Sequence, residues 1–111
     1  MNITIRKIEP AETDLFIKLV KLFEDVFQMK DFSIPPQQHL EHLLQQDGFY
    51  VFIALNNRDE VVGGLTAYTL EQYYSLRPLV YIFDLAVKTD LQRTGIGPKL
   101  IAAIEKFCSG N

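Results

Sequence analysis

Gln92-Arg-Thr-Gly-Ile-Gly97 stands between an apolar run, Val80 to Val87, and an amphipathic helical pattern that opens at Pro98. A strand, a basic glycine turn and a helix start in that order gather backbone N–H groups into a cup at the positive end of a helix dipole. Such a cup is a seat for a diphosphate. Gly95 and Gly97 let the main chain come close to an anion, because no Cβ stands in the way. Gln92 and Arg93 carry further donors for phosphate oxygens. Pro98 suits the first helical turn, where its missing N–H leaves nothing unpaired. The competing reading is an ordinary strand-to-helix bend eased by glycine, and a glycine pair alone does not separate the two. The agreement of strand, turn and helix favours phosphate. Asp84 is the second chemical feature, because it interrupts the apolar run. Burial there would raise its pKa by desolvation and fit it to take a proton from an amine or to bind an ammonium group. The alternative is an aspartate bonded to nearby backbone or to an arginine such as Arg77.

This arrangement resembles the GNAT superfamily of acetyl-CoA-dependent N-acetyltransferases. Their hallmark, Gln/Arg-x-x-Gly-x-Gly/Ala after a hydrophobic strand, is matched by Gln92, Gly95 and Gly97. Within that superfamily, Tyr81 to Val87 looks most like the corresponding strand of the aminoglycoside 3-N-acetyltransferases. The resemblance covers nearly the whole chain in element order, and its specific residues lie between Tyr81 and Leu100. It implies an α+β, GNAT-like acyl-CoA N-acyltransferase fold with a mixed, mostly antiparallel sheet flanked by helices. It also implies an enzyme that moves an acetyl group from acetyl-CoA to a primary amine of a small acceptor, an aminoglycoside or a polyamine.

The resemblance assigns roles residue by residue. The turn Gln92, Arg93, Thr94, Gly95, Ile96 and Gly97 would hold the diphosphate of acetyl-CoA. Leu85 and Val87 would pair, peptide-like, with the pantetheine arm, and the N–H of Val87 or a neighbour would stabilise the oxyanion. Asp84 would be the catalytic base. Tyr81 occupies a place where many relatives carry a glutamate base; a phenol with a pKa near ~10 is a poor one, which moves weight to Asp84. Lys88 and Lys99 are candidates to reach a phosphate from the side. Phe32 and Ser33 sit where the family shapes acceptor specificity.

Bulk properties bound these readings. A chain of 111 residues holds one domain, taken here as 1–111, and its net charge of −3 argues against a nucleic-acid partner held by a general basic field. The single cysteine, Cys108, excludes an internal disulfide and cannot alone build a zinc site. His39 and His42 have helical spacing for a metal, but no third ligand is evident and no metal is expected. No apolar run is long enough for a membrane span, and the N-terminus lacks a signal-peptide pattern, so the expected setting is cytoplasmic.

The positioning elements follow from periodicity. Asn2 to Ile8 reads as a short strand near an edge. Leu15, Phe16, Leu19, Val20, Leu22, Phe23, Val26 and Phe27 make a helical stripe within Thr13 to Met29, capped by Thr13 or Asp14. Pro35-Pro36 precedes a second helix, Gln37 to Gln46, broken by Gly48. Phe49 to Leu55 and Val61 to Leu70 are strands joined by a polar hairpin, and Gly63-Gly64 suggests a bulge or a close backbone contact. Glu71 to Pro78 reads as a looser connection, with Tyr73 and Tyr74 either lining an acceptor pocket or packing on a sheet edge. The last strand is Leu79 to Val87 and the last helix runs to about Cys108.

The order is therefore β-α-α-β-β-β-α. A strand followed by a crossover helix normally leads to a parallel strand, so the domain is expected to be incomplete. A further segment, a completing chain or a homo-oligomer would supply the rest. The alternative function is a non-catalytic CoA-binding or assembly half-domain. A Rossmann-type nucleotide binder fits poorly, because the glycine loop follows the last strand and no acidic ribose partner comes after it.

Overall fold

Phe16, Leu19, Val20 and Phe23 recur at intervals of three and four, so a helix there buries one continuous face. In the computed structural model, which describes residues 2–109, this stripe forms α1, Thr13–Val26. The other elements are β1 Thr4–Lys7, α2 Gln37–Leu44, β2 Phe49–Leu55, β3 Val61–Gln72, β4 Ser75–Val87, a short 3-10 turn Thr89–Leu91, and α3 Ile96–Ser109. The expected α+β order is present.

The four strands form one sheet in the order β1-β2-β3-β4, antiparallel throughout. Alternation along the strands divides the core between the two faces. Val51, Ile53 and Leu55 of β2 pack with α1 and α2. Phe52, Ala54, Leu65 and Ala67 pack with Ile96, Leu100 and Ile104 of α3. Gly64 explains how closely α1 lies on the sheet. A Cβ there would stand 2.5 Å from Leu19 Cδ1 and 2.8 Å from the Phe52 carbonyl oxygen. The expected bulge is next to the glycines: Ala54 pairs with Gly63 and Leu55 with Val61, which leaves Val62 as the extra residue.

Several local expectations change. Neither Thr13 nor Asp14 caps α1; Glu12 occupies the N-cap position, and no side chain makes a capping hydrogen bond. Glu12 instead accepts both guanidinium donors of Arg6 at 2.8 Å and the backbone N–H of Glu9. Helix α1 stops at Val26, because Gln28 turns left-handed at φ 51°. Helix α2 ends at Leu44, two residues early.

The larger correction concerns Glu71 to Pro78. It is no loose connection but part of a long hairpin, with Gln72 paired to Ser75 across the Tyr73-Tyr74 turn. Tyr73 and Tyr74 are exposed, and their rings meet each other edge-on at the tip of the hairpin. Pro78 lies inside β4, a position open to proline because, among the described residues, β4 is an edge strand and Pro78 faces away from β3.

Candidate active site

The loop after β4 is built by local hydrogen bonds. Leu91 N–H donates to the Lys88 carbonyl at 2.8 Å, closing the 3-10 turn. The Thr94 hydroxyl donates to the Leu91 carbonyl. Arg93 and Gly95 both take left-handed backbone, at φ 69° and 93°, on either side of Thr94. That alternation makes neighbouring N–H groups converge on one side, as in an anion-binding nest. The N–H groups of Arg93, Thr94, Gly95, Ile96 and Gly97 have no acceptor among the described residues. The last two begin α3, so the positive end of its dipole adds to the concavity. A Cβ built at Gly95 would meet nothing within 4 Å among the described residues.

The strand leading to the nest presents a usable edge. Thr69 N–H donates to the Gly48 carbonyl and Lys88 N–H to the Val62 carbonyl, both at 2.8 Å. Antiparallel pairing alternates, so the even-numbered residues of β3 face β4, and Ala86 and Asp84 are the β4 residues bonded to it. Leu85 and Val87 therefore turn their N–H and C=O groups to the open edge. The Val87 carbonyl is already taken, since Gln92 Nε2 donates to it at 3.1 Å. The Gln92 side chain thus braces the loop against the strand instead of standing free for a phosphate. The guanidinium of Arg93 makes no hydrogen bond or ion pair among the described residues and is exposed. Lys99 is exposed on the first turn of α3. Lys88 lines a separate cleft with Asn56 and Glu60 at the β2–β3 turn.

Asp84 is half-buried in the middle of β4, opposite Thr66. Thr66 pairs with Asp84 and Ala67 with Ile82, so Phe83 is the extra residue of a bulge. The Asp84 carboxylate makes no hydrogen bond or ion pair among the described residues, with Arg77 or otherwise. Burial pushes its pKa up from the ordinary aspartate value. It lines a cleft of about 270 Å³ between the sheet and the α1–α2 connection, with Met29, Phe32, Phe49, Tyr68 and Phe83 among the walls. Ser33 is exposed and lies outside that lining.

A larger groove, about 710 Å³, lies on the α3 face near Arg77, Val80 and Phe107. It contains neither Asp84 nor the nest, so chemistry selects the smaller cleft. Among the described residues, no group of three or more His, Cys, Asp or Glu could hold a metal ion, and His42 Nε2 lies 3.3 Å from the Gln46 amide. Among the same residues, no helix is long and apolar enough to cross a membrane.

The sequence pattern of the acetyltransferase (GNAT) family matches residues 16–111. The chain belongs to the GNAT acetyltransferase family. As a GNAT protein it is an enzyme of acyl transfer to amines, and its antiparallel sheet, flanking helices and glycine loop are the family's fold. It is similar to an aminoglycoside acetyltransferase from an uncultured soil metagenomic sample, crystallised with trehalose and with sisomicin. Identity is 53% over 97% of this chain and 70% of that one, with a TM-score of 0.94. A second aminoglycoside acetyltransferase from an uncultured soil metagenomic sample is 30% identical over 99% of this chain and 74% of that one, TM-score 0.92. A ribosomal-protein-alanine N-acetyltransferase from Brucella melitensis biovar Abortus 2308 shares the fold, at 18% identity over 99% and 74% of the chains and TM-score 0.82. No curated protein sequence matches the chain.

The residues named from the sequence fall into two places. Arg93 to Gly97 form the nest, with Gln92 bonded beside it to Val87 and Thr89, and Leu85 and Val87 on the edge leading into it. Asp84, on the same strand, faces the opposite cleft together with Phe32. Phe83 was missed, because in a regular strand it would face away from Asp84, and only pairing with β3 creates the bulge that changes this.

Proposed function

We propose that this GNAT protein transfers the acetyl group of acetyl-CoA to a primary amine of a small acceptor, an aminoglycoside or a polyamine. The single observation that carries the reading is the row of N–H groups from Arg93 to Gly97 that have no acceptor among the described residues, on the loop that follows the β4 edge. Those groups would hold the diphosphate, at about 1.5–3 kcal/mol for each charge-assisted bond. Leu85 and the N–H of Val87 would carry the pantetheine arm along the edge, in the manner of strand addition. Acetyl-CoA supplies the thioester carbon: the new nitrogen–carbon bond forms as the carbon–sulfur bond breaks.

Asp84 takes the proton that the amine must lose. A carboxylate whose pKa burial has raised is a better base than an ordinary aspartate. Among the described residues Asp84 is the only charged group lining its cleft, so it would also bind the incoming ammonium before deprotonation. The 53%-identical relative, an aminoglycoside acetyltransferase crystallised with sisomicin, supports an aminoglycoside acceptor. A cytoplasmic setting agrees with the single cysteine. The open β4 edge is where a further strand or a second copy would add.

Calorimetry with acetyl-CoA, combined with transfer assays on a panel of amines, tests this proposal. The expected result is binding by both the parent chain and Asp84→Asn, with transfer lost only in the variant. Binding without transfer by the parent chain would favour the non-catalytic CoA-binding or assembly reading. No binding at all would remove the proposal.

A further inference from the structure

Phe83 and Asp84 are neighbours in sequence, yet both line the cleft between the sheet and the α1–α2 connection. A regular strand would send them to opposite faces. The bulge opposite Thr66 and Ala67 sends them to the same one. Phe83 is 62% exposed, and its ring meets Tyr68 edge-on, with centroids 5.9 Å apart at 79°. Most of that side chain is therefore left uncovered by the described residues, in the same cleft lining as Asp84. Among the described residues Asp84 is the only charged side chain in the cleft's walls, and the rest are apolar or carry hydroxyls. A cleft of about 270 Å³ is near the small end of ligand pockets and would hold one ring of an acceptor.

These observations point past charge recognition. A flexible polyamine offers one ammonium to Asp84 and nothing flat to Phe83. An amine carried on a saturated ring offers both: the ammonium to the carboxylate and an apolar C–H face to the exposed aromatic ring. We infer that Phe83 is a specificity-determining platform that favours amines borne on a six-membered ring over linear polyamines. The inference rests on the acyl-transfer reading of this cleft.

The test compares an aminocyclitol with spermidine, using both acetyl transfer and calorimetric binding of each acceptor. Phe83→Ala should raise KM and Kd for the aminocyclitol about tenfold, while spermidine changes by less than about twofold. The KM for acetyl-CoA should stay unchanged, and Phe83→Tyr should restore aminocyclitol binding. Equal losses for both acceptors, or no loss for the aminocyclitol, would overturn the inference. So would a parent chain that does not bind the aminocyclitol. A parent chain that binds it through Phe83 but transfers nothing would leave the platform standing and remove the transferase reading. Transfer that proceeds unaltered in Phe83→Ala would do the reverse.

Discussion

Gln92 Nε2 donates to the carbonyl oxygen of Val87 at 3.1 Å, tying the nest to the last outward-facing carbonyl of the edge strand. The bond fixes how the proposed diphosphate seat stands relative to the edge proposed for the pantetheine arm. It also withdraws the Gln92 side chain from phosphate binding.

Replacing Gln92 with alanine should therefore loosen both parts at once. One exposed hydrogen bond is worth about 1 kcal/mol, so the KM for acetyl-CoA should rise about fivefold and the thermal midpoint should fall by about 5 °C. The decisive measurement uses an acetyl thioester that lacks the diphosphate. Its KM should rise as well; an unchanged value would mean that Gln92 acts on phosphate alone.

Gly95 and Gly97 should respond differently to a side chain. Gly95 has a φ of 93°, so Gly95→Val strains the backbone although its Cβ would meet nothing. The cost is on the order of 1–3 kcal/mol, and relaxation of the loop should disperse the converging N–H groups. Calorimetry should show CoA affinity falling more than about tenfold. A Cβ at Gly97 meets only Val87 Cγ2, at 4.0 Å, and its φ is not left-handed. Gly97→Ala should fold normally and bind CoA within about threefold of the parent.

Asp84 makes a pH prediction with a definite sign. Its pKa is raised in the folded protein, so the ionised carboxylate costs stability at neutral pH. The cost is absent below the ordinary aspartate value of 3.8 and grows as pH rises through the window between that value and the folded one. Asp84→Asn should therefore melt higher than the parent at pH 7 and equally near pH 3 in thermal scans at matched ionic strength. Activity runs the other way: kcat/KM of the parent should climb with pH through the same window, as the base ionises. A variant that melts lower at pH 7 would contradict the desolvation argument.

Gly64 tests the packing of α1 on the sheet. An added methyl would lie within 3 Å of Leu19 and of the Phe52 carbonyl. Gly64→Ala should cost about 1–3 kcal/mol through overpacking, lowering the melting midpoint by about 5–15 °C in circular dichroism. Gly63→Ala has its nearest contacts at 3.2 Å and should cost less.

Features governed by near neighbours in sequence were open to reading. The stripe from Phe16 to Phe23 requires a helix whatever it packs against, and β2 runs from Phe49 to Leu55 as its apolar run implies. Gln92 to Gly97 encode a turn at a helix start, because glycine permits the left-handed backbone and proline the first helical turn. Asp84 stood out by being polar in an apolar run. The β3–β4 hairpin was less legible: Tyr73-Tyr74 lacks the usual Asn-Gly or Asp-Gly signal, and Pro78 argues against a strand unless its edge is known to be free.

Sequence alone thus determined the helices, the strand core and the glycine turn at the start of α3, since each depends on spacing within a single element. Tertiary structure decided which face Phe83 shares with Asp84, because a bulge is a mismatch between two strands and exists only once β3 and β4 pair. It likewise decided that Gln92 spends its amide on Val87. Side-chain donors have many possible acceptors along a chain, and folding selects one by distance.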